Sequence, residues 1–228
     1  MSNLLWGILF VAVNFALFLI CWRLFGLKGM VAWIGFATVL ANIQVVKTIE
    51  ILGIVTTLGN TMYASISMAV DMLNEKSGVK TARRAVWLGF FTLVSSTLIM
   101  QMVLVFEPQE TDIAQDSLQT IFGLLPRIAA GSLLAYIISQ FLDVRLFAAL
   151  RQKFPGSRQF WIRTTGSTVI SQFIDTMVFC TIAFAGLYSF DVWLQILLTT
   201  YLFKFVISVA ATPVLYAARS MKPKEADE

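Results

Sequence analysis

The sequence predicts an all-α integral membrane protein, a compact bundle of about seven transmembrane helices, on three observations. Of 228 residues, 58% are hydrophobic and only 13% are charged, about half the charged share of a soluble domain, and the mean hydropathy is +0.79. Seven apolar runs each approach the ~20 residues that a spanning helix needs. Basic residues collect in every second loop, the pattern that orients such bundles. Water cannot be the solvent for most of this surface, so a freely soluble enzyme or binding module is excluded.

The first run, 4–22, has no basic side chain before it, only Met1-Ser2-Asn3, and Arg23 follows it. It reads as a retained helix with an outward N-terminus rather than a signal peptide. The runs 30–46 and 51–72 are separated only by Lys47 and Glu50, so six helices would result if the two form one broken helix. The remaining runs are 85–106, 118–142, 164–188 and 192–217. Arg23 and Lys28 follow run one; Lys76, Lys80, Arg83 and Arg84 follow run three; Arg145, Arg151, Lys153, Arg158 and Arg163 follow run five; Arg219, Lys222 and Lys224 follow run seven. The loop after run four instead holds Glu107, Glu110, Asp112 and Asp116. The basic loops face the cytoplasm, which places the N-terminus outside and the C-terminus inside. Gly78, Pro108, Pro126, Pro155-Gly156 and Gly186 punctuate loops and helix ends. Nothing marks a linker, so residues 1–228 read as one transmembrane domain ending in a charged cytoplasmic tail, 219–228.

Inside this apolar chain one polar string occurs twice, 32 positions apart: Ser139-Gln140-Phe141-Leu142-Asp143 and Ser171-Gln172-Phe173-Ile174-Asp175. A carboxylate in a membrane helix is costly, and its presence points to a functional site. At helical spacing, Ser132, Tyr136, Ser139, Gln140 and Asp143 share one face, as do Thr168, Ser171, Gln172 and Asp175. Run three offers Asn60, Tyr63, Ser67 and Asp71, and run seven offers Tyr201, Lys204, Ser208 and Thr212. Lipid would leave such seams unsatisfied, so they are expected to turn inward and share a cavity. Asp175 lies twelve residues beyond Arg163, about 18 Å at the helical rise and close to the midplane. Lys204 has a similar depth, so the two could pair.

Each residue also has a plainer role. Asp175 and Lys204 could be a structural ion pair, Asp143 could neutralise Arg145, Arg127 could snorkel outward, and Asp71 could be solvated at a helix end beside Glu75. Tyr63 and Tyr136 could simply pack. Cys21 and Cys180 read as small buried hydrophobes, and there is no Cys-x-x-Cys. Histidine is absent, which leaves a Ser nucleophile without its usual base and a metal without its commonest ligand. No Gly-rich phosphate loop is present, so any use of ATP would need a partner chain. No catalytic residue, metal or cofactor is expected.

Thr56-Thr57-Leu58-Gly59-Asn60 leads to Asp71, Gly78 and Arg83-Arg84. Arg127, Ala135-Tyr136, Gln140 and Asp143 follow, then Gln172, Asp175-Thr176, Ala183-Phe184, Phe203-Lys204 and Ile207-Ser208. In this order and spacing, over roughly 40–217, the chain resembles the queuosine precursor transporter family, also called vitamin uptake transporters. The resemblance implies a six-helix core, 28–218, preceded by an extra N-terminal helix, 1–27. It also implies a multi-pass protein of the bacterial cytoplasmic membrane that imports 7-cyano- and 7-aminomethyl-7-deazaguanine for tRNA modification salvage.

The substrate-binding residues expected are then Asn60, Tyr63, Asp71, Arg127, Tyr136, Gln140, Asp143, Gln172, Asp175 and Lys204. A carboxylate such as Asp175 or Asp71 can accept the ring N–H and exocyclic amine of a guanine-like edge, while Gln140, Gln172 or Lys204 donates to the carbonyl. Asp143 is assigned to an aminomethyl cation. The partners expected are the deazapurine and membrane lipid, with no nucleic acid; a homodimer is left open. Two rival readings are a substrate-capture subunit of an energy-coupling-factor importer, with Ala12-x-x-x-Ala16 and Ala37-x-x-x-Ala41 as docking contacts, and an intramembrane enzyme using Asp143 and Asp175.

Overall fold

The structure is a computed structural model that describes residues 3–51, 53–153 and 160–221. It is mostly helical: α1 (Asn3–Gln44), β1 (Thr48–Ile51), β2 (Ile54–Thr57), α2 (Asn60–Ser77), α3 (Val79–Val103), α4 (Gln115–Phe122), α5 (Leu125–Lys153), α6 (Phe160–Phe184) and α7 (Phe190–Ser220). Among the described residues, four stretches are long and apolar enough to cross a membrane: α1, α3, Gln115–Ser139 and Phe190–Ile207, with Val169–Phe184 a shorter apolar helix. Large apolar side chains are exposed along these stretches, among them Phe91, Leu98, Ile99, Leu202 and Phe205. Such a surface suits acyl chains and not water. The chain is a multi-pass membrane protein.

Two compact units make up the chain: 1–126 with 202–228, and 127–201. In the first unit α1 reverses at Gly26, whose φ of 53° and ψ of −136° interrupt the helix. A straight helix would separate Phe18 from Trp33 by about 22 Å, yet their rings meet edge-on with centroids 6.0 Å apart. The Asn3 amide likewise donates to the Glu50 carbonyl at 2.8 Å. The two arms, 3–25 and 27–44, are the runs read from sequence at 4–22 and 30–46, folded back on each other. Around them pack Met62, Met68, Ala69, Met72 and Leu73 of α2, Ala82 and Ala85 of α3, and Ile207 and Ala218 of α7. Small residues let α1 and α3 approach closely. A Cβ added at Gly89 would lie 3.0 Å from Ile34 Cγ2 and from Thr38 Oγ1, and one at Gly35 would lie 3.3 Å from Thr92 Oγ1.

The run 51–72, expected as one spanning helix, is corrected: it is a hairpin strand followed by α2. β1 and β2 pair antiparallel, from Ile51 opposite Ile54 to Thr48 opposite Thr57. Gly53 takes a φ of 81° in the two-residue turn between them, a conformation that glycine adopts without a Cβ penalty. Ile49, Ile51, Ile54, Val55, Thr56 and Thr57 are β-branched, and this composition favours strands. The run 118–142 is also redrawn. It breaks after Phe122, where α4 ends, and α5 restarts at Leu125 with Pro126 in its first turn and continues to Lys153. A side-chain bond from Gln101 Nε2 to the Phe122 carbonyl, 2.6 Å, ties α3 to the end of α4.

The second unit is α5, α6 and the first part of α7. Ile128, Ala129, Ala135, Phe179, Cys180, Ala183, Phe184, Ile196 and Leu197 are buried in it. Phe179 and Phe184 meet edge-on at 5.7 Å, and the Trp193 indole donates to the Cys180 carbonyl at 3.0 Å. Gly186, with a φ of 79°, turns the chain between α6 and α7. Pro155-Gly156, expected to mark a loop, lies outside the described residues.

Candidate functional site

In the second unit α5 and α6 run antiparallel in a consistent register. A Cβ at Gly131 would touch Ile182 at 3.4 Å, and one at Gly166 would approach Leu150 at 3.2 Å. Between these contacts the two Ser-Gln-Phe strings come together: Ser139 Oγ lies 3.2 Å from Asp175 Oδ1 and donates to it. Ser139 also stands 3.1 Å from the Tyr136 carbonyl oxygen. The same register sets position 143 level with position 171. Ser139, Ser171 and Thr176 are buried, Tyr136 and Asp175 are half-buried, and Gln172 is exposed. The side chains of Gln140 and Asp143 lie outside what the structure describes, although both positions continue α5. Phe173 of the second string packs its ring edge-on to Tyr201 at 5.5 Å, and the Tyr201 hydroxyl donates to the Val169 carbonyl at 3.2 Å.

Arg127 stands apart from this pair. Its guanidinium donates to the Ile182 and Ala185 carbonyls at the C-terminal end of α6. Those oxygens lack helical partners, and a cation there also meets the negative end of the helix. Arg127 thus closes α6 and does not snorkel.

The first unit holds Asn60, Tyr63, Asp71 and Lys204. The α2 seam divides. Asn60 is buried and Tyr63 half-buried, whereas Ser67 and Asp71 are exposed, eleven residues and about 16 Å of helix separating Asn60 from Asp71. The buried stripe of this helix is Met62, Ser65, Met68, Ala69, Met72 and Leu73, and Ser67 and Asp71 lie off it. Within that stripe the Trp33 indole donates to Ser65 Oγ at 3.0 Å. Lys204 is half-buried on α7, and the side chains of Ser208 and Thr212 lie outside the described residues. Ala37 and Ala41 are fully buried while Ala12 and Ala16 are exposed, so the second small-residue pair serves packing.

Sequence reasoning gave no role to Gln44, Thr56 and Thr57. With Asn60 they lie where α1 ends, β2 closes and α2 begins: Thr56, Thr57 and Asn60 are buried and Gln44 is half-buried, and the buried atoms Gln44 Oε1, Thr56 Oγ1, Thr57 Oγ1 and Asn60 Nδ2 have no hydrogen-bond partner among the described residues. The available signal was two hydroxyls and an amide set around a glycine, Thr56-Thr57-Leu58-Gly59-Asn60, at the end of a β-branched run. Among the described residues no three His, Cys, Asp or Glu side chains group as metal ligands do.

Comparison with known proteins accounts for this combination of lipid-facing helices and inward polar groups. A family model described as "Putative vitamin uptake transporter" matches residues 57–218. The chain is 52% identical over 224 residues to "Probable queuosine precursor transporter" of Bacillus subtilis (strain 168), covering 98% of this chain and 97% of that protein. It is 31% identical over 129 residues to "Queuosine precursor transporter" of Escherichia coli (strain K12), covering 57% of this chain and 55% of that protein. The first alignment, nearly end to end, takes in the first arm of α1, which the family model leaves out. No solved structure matches the chain. The chain belongs to the vitamin uptake transporter family; it is a transporter and not an enzyme.

Proposed function

We propose that this protein imports queuosine precursors, 7-cyano- and 7-aminomethyl-7-deazaguanine, across the bacterial cytoplasmic membrane for tRNA modification salvage. The observation that carries the reading is the 52% identity over 98% of the chain to a relative of that name. The polar chemistry agrees with it. On α5 and α6, Asp175 offers a carboxylate to the paired N–H donors of a guanine-like edge, with Gln140 and Gln172 as donors to its carbonyl and Tyr136 as a stacking face. Asp143 takes the aminomethyl cation of the second precursor. Asn60, Tyr63, Asp71 and Lys204 are the first unit's contribution to transport, and Arg127 acts by holding the end of α6. In this reading residues 1–228 are one domain with seven crossings, α1 supplying two, and basic loops on the cytoplasmic side.

The test is salvage in cells unable to make the precursor, grown with added base and scored by queuosine in tRNA. The wild-type chain restores queuosine. Asp175→Asn and Gln140→Ala, present in the membrane at wild-type level, lower it; unchanged salvage in both removes the proposed α5–α6 site. Uptake by proteoliposomes containing only this chain separates a self-sufficient importer from a capture subunit that depends on an ATPase.

A further inference from the structure

The first unit keeps four buried polar groups without partners in one small region. β1 and β2 bring Thr57 opposite Thr48, and the chain from Gln44 enters that hairpin through a turn closed by the Lys47 N–H on the Gln44 carbonyl, 3.0 Å. On the other side Gly59 presses the start of α2 against the end of α1: a Cβ there would lie 2.8 Å from the Ala41 carbonyl oxygen and 3.2 Å from Val45 Cβ. Gln44, Thr57 and Asn60 therefore lie on segments that meet at the N-terminus of α2, an 18-residue helix with no side-chain cap, while Thr56, one position earlier on β2, points to the opposite face of the hairpin. Thr56, Thr57 and Asn60 are 2%, 3% and 5% exposed, and Gln44 Oε1 is itself buried. A buried polar atom left unpaired costs about 1–3 kcal/mol, and a ligand that reaches these atoms would recover that cost.

The chemistry narrows that ligand. The Asn60 amide and the free N–H groups at the α2 N-terminus donate, Gln44 Oε1 accepts, and the Thr57 hydroxyl does either. The helix end carries partial positive charge and disfavours a cation. Lys47 and Glu50 are exposed, and among the described residues no charged side chain is buried, so nothing neutralises a full charge. A neutral group presenting an acceptor beside a donor, the C=O and N–H of a lactam, satisfies the set. We infer that the end of α1, β2 and the N-terminus of α2 form a second subsite, occupied at a different step of transport from the α5–α6 site, that takes the lactam edge of a neutral heterocycle, with Thr57 and Asn60 donating to its carbonyl and Gln44 accepting from its ring N–H. The inference rests on the importer reading for the identity of the cargo, and it adds Gln44 and Thr57 to the residues that select it.

The test uses the purified full-length protein in detergent with two probes: 7-cyano-7-deazaguanine and its 6-amino analogue, in which an amine replaces the carbonyl and the ring nitrogen loses its hydrogen. Wild type binds the lactam base at least tenfold more tightly than the analogue, because the analogue leaves donors facing donors. Thr57→Val and Asn60→Leu each lower lactam affinity about tenfold and shrink the preference, while Tm without ligand is unchanged or higher, since an unpaired buried group has been replaced by an apolar one. Wild-type affinity in both variants overturns the subsite. So does a fall in unliganded Tm with the lactam preference intact, which assigns these groups to a bound structural water. Wild type that binds neither probe defeats the importer reading and the subsite with it, whereas normal wild-type binding with indifferent variants defeats the subsite alone.

Discussion

The α5–α6 pair and the hairpin end of the first unit are both polar places in an apolar protein, and they differ in how their groups are satisfied. On α5 and α6 the carboxylate of Asp175 already accepts the Ser139 hydroxyl, and Asp175 is half-buried. At the hairpin, neutral groups are more deeply buried and unpartnered. A charge cannot wait unpaired in low dielectric, because its desolvation cost is several kcal/mol; a hydroxyl or amide can, at a cost small enough for a bundle to bear. The comparison assigns different work to each place. In the proposed reading the charged pair supplies strength toward donor groups, and the neutral groups supply shape and hydrogen-bond pattern.

The largest effect that would break this comparison is at Asp175. Asp175→Asn keeps the size and removes the charge, so a ligand that gives two N–H donors loses one charge-assisted bond and meets an amide donor instead. Hydrogen bonds to charged groups contribute about 1.5–3 kcal/mol, roughly 10–100-fold in uptake at limiting precursor. Salvage assays at several base concentrations measure it, and saturating base restores most of the activity if the loss is in affinity. A loss of only twofold would reduce Asp175 to a partner for Ser139.

Next comes Gly59. Its φ of −60° suits any residue, so the objection to a side chain is space alone, and the obstacle is the Ala41 backbone carbonyl, which cannot rotate away. Gly59→Ala forces α2 off α1 and costs about 1–3 kcal/mol, read as a fall in Tm. It also spoils the hairpin cluster while leaving Asp175 binding chemistry intact, so affinity for the 6-amino analogue falls less than affinity for the lactam base. Equal losses for the two probes would mean that the hairpin merely supports the fold.

Arg127→Ala tests the reading of a charged residue as structure. It strands the Ile182 and Ala185 carbonyls at the end of α6, lowering stability by about 1–3 kcal/mol. The expected signature is lower membrane abundance or Tm, with unchanged apparent affinity in the protein that remains. An affinity loss at normal stability would return Arg127 to the ligand.

What the sequence shows and hides follows the same division between local and long-range causes. The apolar runs, the break near Gly26, the turns at Gly78 and Gly186 and the repeated Ser-Gln-Phe strings are written in consecutive residues. Helical spacing alone put Ser139 and Asp175 on polar stripes, and the two meet. Hydropathy could not separate hairpin from helix over 48–57, because Ile-, Val- and Thr-rich runs serve either and the turn at Gly53 looks like any isolated glycine. The role of Arg127 was hidden because its acceptors lie 55 and 58 positions away. The burial of Thr56 and Thr57 was hidden because it arises only when the hairpin folds onto the end of α1.

The smallest effect sharpens the comparison most. Ser139 is a neutral partner of Asp175, so in Ser139→Ala the carboxylate keeps its charge and loses one donor and some of its orientation. A hydrogen bond to a carboxylate contributes about 1.5–3 kcal/mol to the empty and the loaded site alike, so only the lost orientation reaches affinity, a change of about two- to tenfold for the base with maximal uptake preserved. Ser139→Thr, which keeps a hydroxyl on the same carbon, should return most of it. If the Ala variant instead matches Asp175→Asn and Thr does not rescue it, then Ser139 itself touches the cargo. In that case the α5–α6 pair, like the hairpin, reads its ligand through neutral groups, and the contrast between the two places would disappear.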